Sequence, residues 1–118
     1  MYKVIKIGDK DIPMMAMAST DSYFKNTFGE DPMKKMTTPD LEVSEMIDVV
    51  MKIGFIMAKF AELKQRKEML KLNEDAYYEW LDGFQREDLV NDDVLVAIQD
   101  VYQGNTQTTS EAKNQEDQ

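Results

Sequence analysis

Residues Pro39 to Lys64 read PDLEVSEMIDVVMKIGFIMAKFAELK, the longest helix-compatible run in the chain and its most apolar. Val43, Met46, Ile47, Val50, Ile53, Met57, Phe60 and Ala61 recur every three or four residues. That spacing puts them on one side of an α-helix. Leu41, Val49, Met51, Phe55 and Ile56 fall partly off that side, so the apolar face is wider than a surface helix needs. A central helix covered from more than one direction is predicted. Pro39 and Asp40 suit the first turn, where a backbone donor is dispensable and an acid meets the positive dipole end, so the helix is expected to begin there. Lys59 and Lys64 lie toward the opposite end, where cations are favoured. Glu45, Asp48, Lys52 and Lys59 interrupt any uncharged span of the length a bilayer demands, which argues against a membrane segment.

On the N-terminal side, Tyr2 to Ile7 (YKVIKI) alternates apolar residues with Lys3 and Lys6, and Gly8-Asp9-Lys10-Asp11 is turn-rich. Ile12 to Ala18 offers a second extended segment, so a hairpin is predicted. Pro13 has no N–H, which weakens the second strand's ladder and assigns it an edge. Asp9 and Asp11 lack the glycine and glutamate offsets of a calcium loop and read as turn residues. Ser19-Thr20-Asp21-Ser22 supplies capping side chains for a short helix carrying Tyr23, Phe24, Thr27 and Phe28, and Gly29 stops it. Pro32 opens another short helix through Met36, and Thr37-Thr38 before Pro39 favours extended backbone.

On the C-terminal side, Gln65 to Asn73 is charged around Met69, Leu70 and Leu72 and either prolongs the central helix or connects it onward. Asn73-Glu74-Asp75 starts a helix whose apolar side is Ala76, Tyr77, Trp80, Leu81 and Phe84, a strong packing element. Asn91-Asp92-Asp93 caps a last helix through Val94, Leu95, Ile98, Val101 and Tyr102, with Gly104 as its end. Residues 105–118, NTQTTSEAKNQEDQ, hold no large apolar side chain and predict a flexible polar tail. The expected fold is α+β and mainly helical: an N-terminal β-hairpin, then four or five helices around the long central one. One compact domain is expected over 1–104.

The composition narrows function. With 23 acids against 14 bases the net charge is −9, so phosphate backbones repel the chain and direct nucleic-acid binding is not expected. The absence of histidine and cysteine removes nucleophiles that rely on a histidine base, and zinc sites of the usual ligands. Glu74 with Asp75, and Asp88 with Asp92 and Asp93, are carboxylate groupings of the kind general acid–base chemistry uses, but solvated faces and helix caps explain them more simply. The five glycines are isolated, so no phosphate-cradling loop is present. A non-enzymatic protein without cofactor is expected. No basic, apolar leader opens the sequence, which favours the cytoplasm. Ten methionines stand out, and this flexible, polarizable side chain suits surfaces that adapt to a partner. Met46, Met51 and Met57 read mainly as core filling, whereas Met14, Met15 and Met17 on a short edge strand are expected to be exposed. Met14, Met15, Met17 and the uncovered faces of Met51, Phe55 and Lys59 are therefore the candidate partner-binding residues.

Several stretches in order carry a family resemblance: the hairpin YKVIKIGDKDIPM, then AMASTDSYFKNTFGEDPMKKM, IGFIMAKFAE in the long helix, YYEWLDGF, and the closing AIQDVYQGNTQTTSEAKN. The chain resembles, over essentially its whole length, the short tail assembly chaperones of long-tailed phages and prophages of Gram-positive bacteria. Pro13 and the methionine-rich stretch beside it depart from that pattern. The resemblance implies binding to a long, largely helical tape measure protein, whose apolar stripes are kept from aggregating until tail tube subunits polymerise around it. It also implies homo-oligomerisation along that partner, residence in the bacterial host cytoplasm, and absence from the mature virion. Family members are often made in two lengths by a programmed −1 frameshift, the longer product reaching the major tail protein. Ala112-Lys113-Asn114 is compatible with such a site, because the codons GCA, AAA and AAC contain A AAA AAC in phase. The alternative is an acidic inhibitor or nucleic-acid mimic from a mobile element, whose carboxylates bind a basic protein.

Overall fold

The nine residues Val49, Val50, Met51, Ile53, Gly54, Phe55, Ile56, Met57 and Ala58 are all buried, which a helix packed on one side only cannot achieve. They belong to the central helix of a computed structural model that describes the backbone of residues 1–63 and 66–116 and the side chains of 1–63 and 67–104. Among the described residues the order is β1 (Tyr2–Ile7), β2 (Lys10–Met15), α1 (Thr20–Phe28), α2 (Pro32–Met36), α3 (Val43–Glu62), α4 (Arg66–Met69), α5 (Glu74–Leu81), α6 (Arg86–Leu89) and α7 (Asp92–Glu116). The antiparallel hairpin and α7 close over α3 from one direction, and α1, α2 and α5 from others. Gly54 faces both neighbours: a Cβ there would stand 3.2 Å from Ile98 Cδ1 and 3.5 Å from Met14 Cε. Glycine leaves the Ile98 side chain of α7 uncrowded against α3.

The mainly helical α+β architecture is as the sequence predicts, with seven helices among the described residues rather than four or five. The additional ones, α4 and α6, are four-residue turns too short to show a period. α3 begins at Val43 and not at Pro39. Asp40 takes φ 60°, a left-handed conformation that aspartate tolerates and a helix does not, and Glu42 is still extended at φ −63°, ψ 147°. α7 also differs, since its backbone continues through Gly104 to Glu116. Gly104 does not end the helix, and it lies beside the Met1 side chain, whose Sδ would be 2.6 Å from a Cβ there. The flexible tail expected over 105–118 lies outside the residues whose side chains are described.

Local caps follow the sequence closely. Asn73 accepts from Ala76 N–H at 2.9 Å, Asn91 from Asp93 N–H at 2.8 Å, and Asp31 from the N–H groups of Met33 and Lys34. Gly29 closes α1 at φ 72°. Ser19 makes no side-chain cap; the hydroxyl of Thr20 instead accepts the Met17 N–H at 2.9 Å, joining the hairpin's exit to α1.

An edge-to-face chain of rings links α1, α3 and α5: Phe28 to Phe55 at 6.2 Å, Phe28 to Tyr77 at 5.3 Å, Phe55 to Tyr77 at 5.6 Å and Phe55 to Trp80 at 5.8 Å between centroids. Polar links rim this core. Lys52 pairs with Asp48 at 3.0 Å and Glu30 at 3.6 Å, Tyr77 donates to Asp48 at 3.4 Å, and Tyr102 donates to Asp21 at 2.6 Å. Burial pulls the Lys52 ammonium down, but the Asp48 and Glu30 carboxylates outweigh it and hold it above the ordinary lysine range. Burial, then the neighbouring carboxylate, raises both Tyr77 and Tyr102.

These three shifts have one sign. Each group binds its proton more tightly folded than unfolded, so its contribution is complete below the unfolded pKa, ~10 for tyrosine and lysine, and is lost as pH rises beyond it. Alkaline titration is therefore expected to unfold the protein cooperatively above roughly pH 10. Ultraviolet absorbance of tyrosinate followed alongside circular dichroism checks this. Tyr77 and Tyr102 should ionise only as ellipticity is lost; their ionisation in an intact fold would refute the linkage.

Candidate partner-binding surface

The hairpin has an inner and an outer face, and its register sorts the residues between them. Tyr2 lies opposite Met15, Val4 opposite Pro13 and Lys6 opposite Asp11 on the outer face; Lys3 opposite Met14, Ile5 opposite Ile12 and Ile7 opposite Lys10 share the inner one. Ile5, Ile7, Met14 and the following Ala16 are buried. On the outer side Tyr2 is 58% exposed, Val4 48%, Pro13 is exposed and Met15 half-buried. Two apolar cross-strand pairs thus face outward, with Met17 (41% exposed) just beyond them.

The hydrogen-bond phase of the ladder explains Pro13. Met1 and Ala16 exchange both bonds, Ala16 N–H to Met1 O and the Met1 amine to Ala16 O, each at 2.8 Å. Antiparallel pairs alternate, so Lys3–Met14, Ile5–Ile12 and Ile7–Lys10 are the hydrogen-bonded pairs, and Tyr2–Met15, Val4–Pro13 and Lys6–Asp11 are not. The position of the missing Pro13 donor points away from β1. Pro13 therefore removes no ladder bond, correcting the expectation that it weakens the strand, and it blunts the outer edge of β2. The non-hydrogen-bonded pairs also bring side chains closest, which favours the Tyr2–Met15 and Val4–Pro13 contacts.

Beside this face lies an apolar groove of about 290 Å3, lined by Ile12 and Pro13 of the hairpin, Ala58, Ala61 and Glu62 of α3, and Trp80 of α5. The two alanines leave room where longer side chains would fill it. Lys59, half-buried, reaches Glu62 Oε2 at 3.3 Å and lies 5.9 Å from the Phe55 ring centroid.

Of the candidate residues, Met17 is exposed, while Met15 and Lys59 are half-buried. Met14, Met51 and Phe55 are 0%, 3% and 0% exposed, which overturns the expectation that they present a surface. Met14 is on the strand face that α3 covers, and α3 is enclosed on the sides that carry Met51 and Phe55. Tyr2, Val4 and Pro13 complete the outward face and were not among the candidates. Their signal lies across the ladder, where Asp11 and Pro13 share a face with Met15 and, through the two-residue turn, with Tyr2 and Val4. Among the described residues no group of three acidic side chains converges as a metal site, and no helix is long and apolar enough to cross a membrane. The surface offers apolar contact area bordered by lysines and strand backbone. No protein-family model, curated protein or solved structure matches the chain.

Proposed function

We propose that this chain is a tail assembly chaperone of the phage and prophage kind, which binds a tape measure protein in the host cytoplasm, keeps it soluble and leaves before the particle is mature. The observation that supports the reading is the outward apolar face of the hairpin, with Tyr2, Val4 and Pro13 exposed on a molecule of net charge −9. Apolar area of this kind has affinity for the apolar stripe of a helical rod. The surrounding negative charge keeps a rod coated with many copies in solution, and several copies acting together gain avidity. A longer frameshifted product is the natural bridge to the major tail protein.

Co-expression with the tape measure protein encoded in the same gene cluster tests this. The two are expected to elute together as one soluble species and to remain together in high salt, because apolar contact is not screened. A tape measure protein that precipitates while this chain stays separate refutes the reading for this length of product. Association that dissolves with salt favours the acidic-inhibitor alternative.

A further inference from the structure

The same ladder phase that turns the Pro13 nitrogen outward on β2 turns the N–H and C=O groups of Tyr2, Val4 and Lys6 outward on β1. The two edges of the hairpin are therefore unequal. On β2 the central outward position has no donor; on β1 all three residues have both groups, and among the described residues these groups have no hydrogen-bond partner. Exposed strand backbone of this kind is a template for an added strand.

The side chains along β1 indicate what would be added. Lys3 and Lys6 are exposed, Tyr2 and Val4 are exposed and apolar, and β1 contains no acid. The strand is a small basic and apolar island on an acidic molecule. A second copy of β1 would bring its own two lysines to the same edge and a further net charge of −9 behind it, so self-pairing is opposed. We propose that β1 is a docking edge for an extended segment of another protein in which two acids stand three residues apart among apolar residues, matching Lys3 on one face and Lys6 on the other, the segment pairing with Tyr2, Val4 and Lys6 as a third strand. The inference rests on backbone phase and local charge and does not depend on the tape measure reading.

The probe is a blocked five-residue peptide with glutamate at its first and fourth positions and valine elsewhere, with lysine in place of each glutamate as control, added to the full chain at low salt. Amide exchange by NMR reads the outcome. In the free protein the amides of Tyr2, Val4 and Lys6 exchange rapidly while those of Lys3, Ile5, Ile12 and Met14 are protected; the acidic peptide should protect the first set and the basic one should not. Val4→Pro mirrors Pro13 across the hairpin and removes no internal bond, so the fold is expected to persist while peptide binding falls by roughly tenfold or more. The double substitution Lys3→Glu and Lys6→Glu should exchange the preference between the two peptides. Equal response to both peptides, unchanged binding by Val4→Pro, or no protection at Tyr2, Val4 and Lys6 overturns the proposal. Concentration-dependent protection of those amides without peptide also overturns it, by assigning the edge to a second copy.

Discussion

Replacing Phe55 by alanine is expected to remove about 3–5 kcal/mol of stability, the range for truncating a fully buried aromatic ring. Phe55 is 0% exposed and lies at the junction of three ring contacts, with Phe28, Tyr77 and Trp80. Its loss leaves a cavity walled by rings held by α1 and α5, and large flat side chains collapse poorly into such a space. Lys59 also loses the π face over which its ammonium lies. Domains of this size hold roughly 5–15 kcal/mol in total, so the variant should melt on the order of 20 °C lower and be close to unfolded at physiological temperature. Urea midpoints measure the loss. The single tryptophan, Trp80, supplies a second readout because it packs directly on the deleted ring, and its emission should shift to the red. An unchanged midpoint would place Phe55 outside the core and return it to the surface on which the sequence alone placed it.

That reversal shows which kinds of information the chain displays openly. Gly29, Asn73 and Asn91 act through neighbours two to four residues away, and each closes or opens its helix where the sequence predicts. The wide apolar face of residues 43–61 announces a helix enclosed on several sides, and α3 is such a helix. The same width makes Phe55 and Met51 look spare on a helical projection, because a projection does not say how many neighbours arrive. Gly104 reads as a stop in sequence, yet the α7 backbone continues through it beside Met1, a proximity that no local pattern shows. Asp40 is a similar case: Pro39-Asp40 suits a helix start, and only the left-handed backbone at Asp40 shows that the chain turns once more before α3. Met14 was legible. Asp11, Pro13 and Met15 share one strand face and Ile12, Met14 and Ala16 the other; an aspartate and a proline on the first face assign it to solvent and the second to the core. The three methionines therefore do not form one exposed cluster.

Met14→Lys and Met17→Lys separate those two faces by stability alone. Met14 is 0% exposed, with its Cε against the Gly54 backbone region of α3, so an ammonium placed there is desolvated. Unpaired buried charge belongs to the few mechanisms that cost more than about 4 kcal/mol, and Met14→Lys is expected to unfold at neutral pH or come close to it. Its pH dependence carries the diagnosis. A lysine forced into the core has a folded pKa below its unfolded value, so the folded state binds fewer protons and stability rises as pH increases toward the unfolded value near ~10. The parent protein changes in the opposite direction above that value, when Lys52, Tyr77 and Tyr102 lose their protons. Recovery of Met14→Lys between neutrality and roughly pH 9.5, read from urea midpoints, is therefore specific to a buried ammonium. Met17→Lys, at an exposed position, should stay within about 0.5 kcal/mol of the parent at every pH. Since its fold is intact, any loss of tape measure solubilisation by Met17→Lys reports on contact with the partner and not on stability. The comparison thus assigns the methionine-rich segment residue by residue: Met14 holds the hairpin to α3, and Met17 is left for a partner to meet.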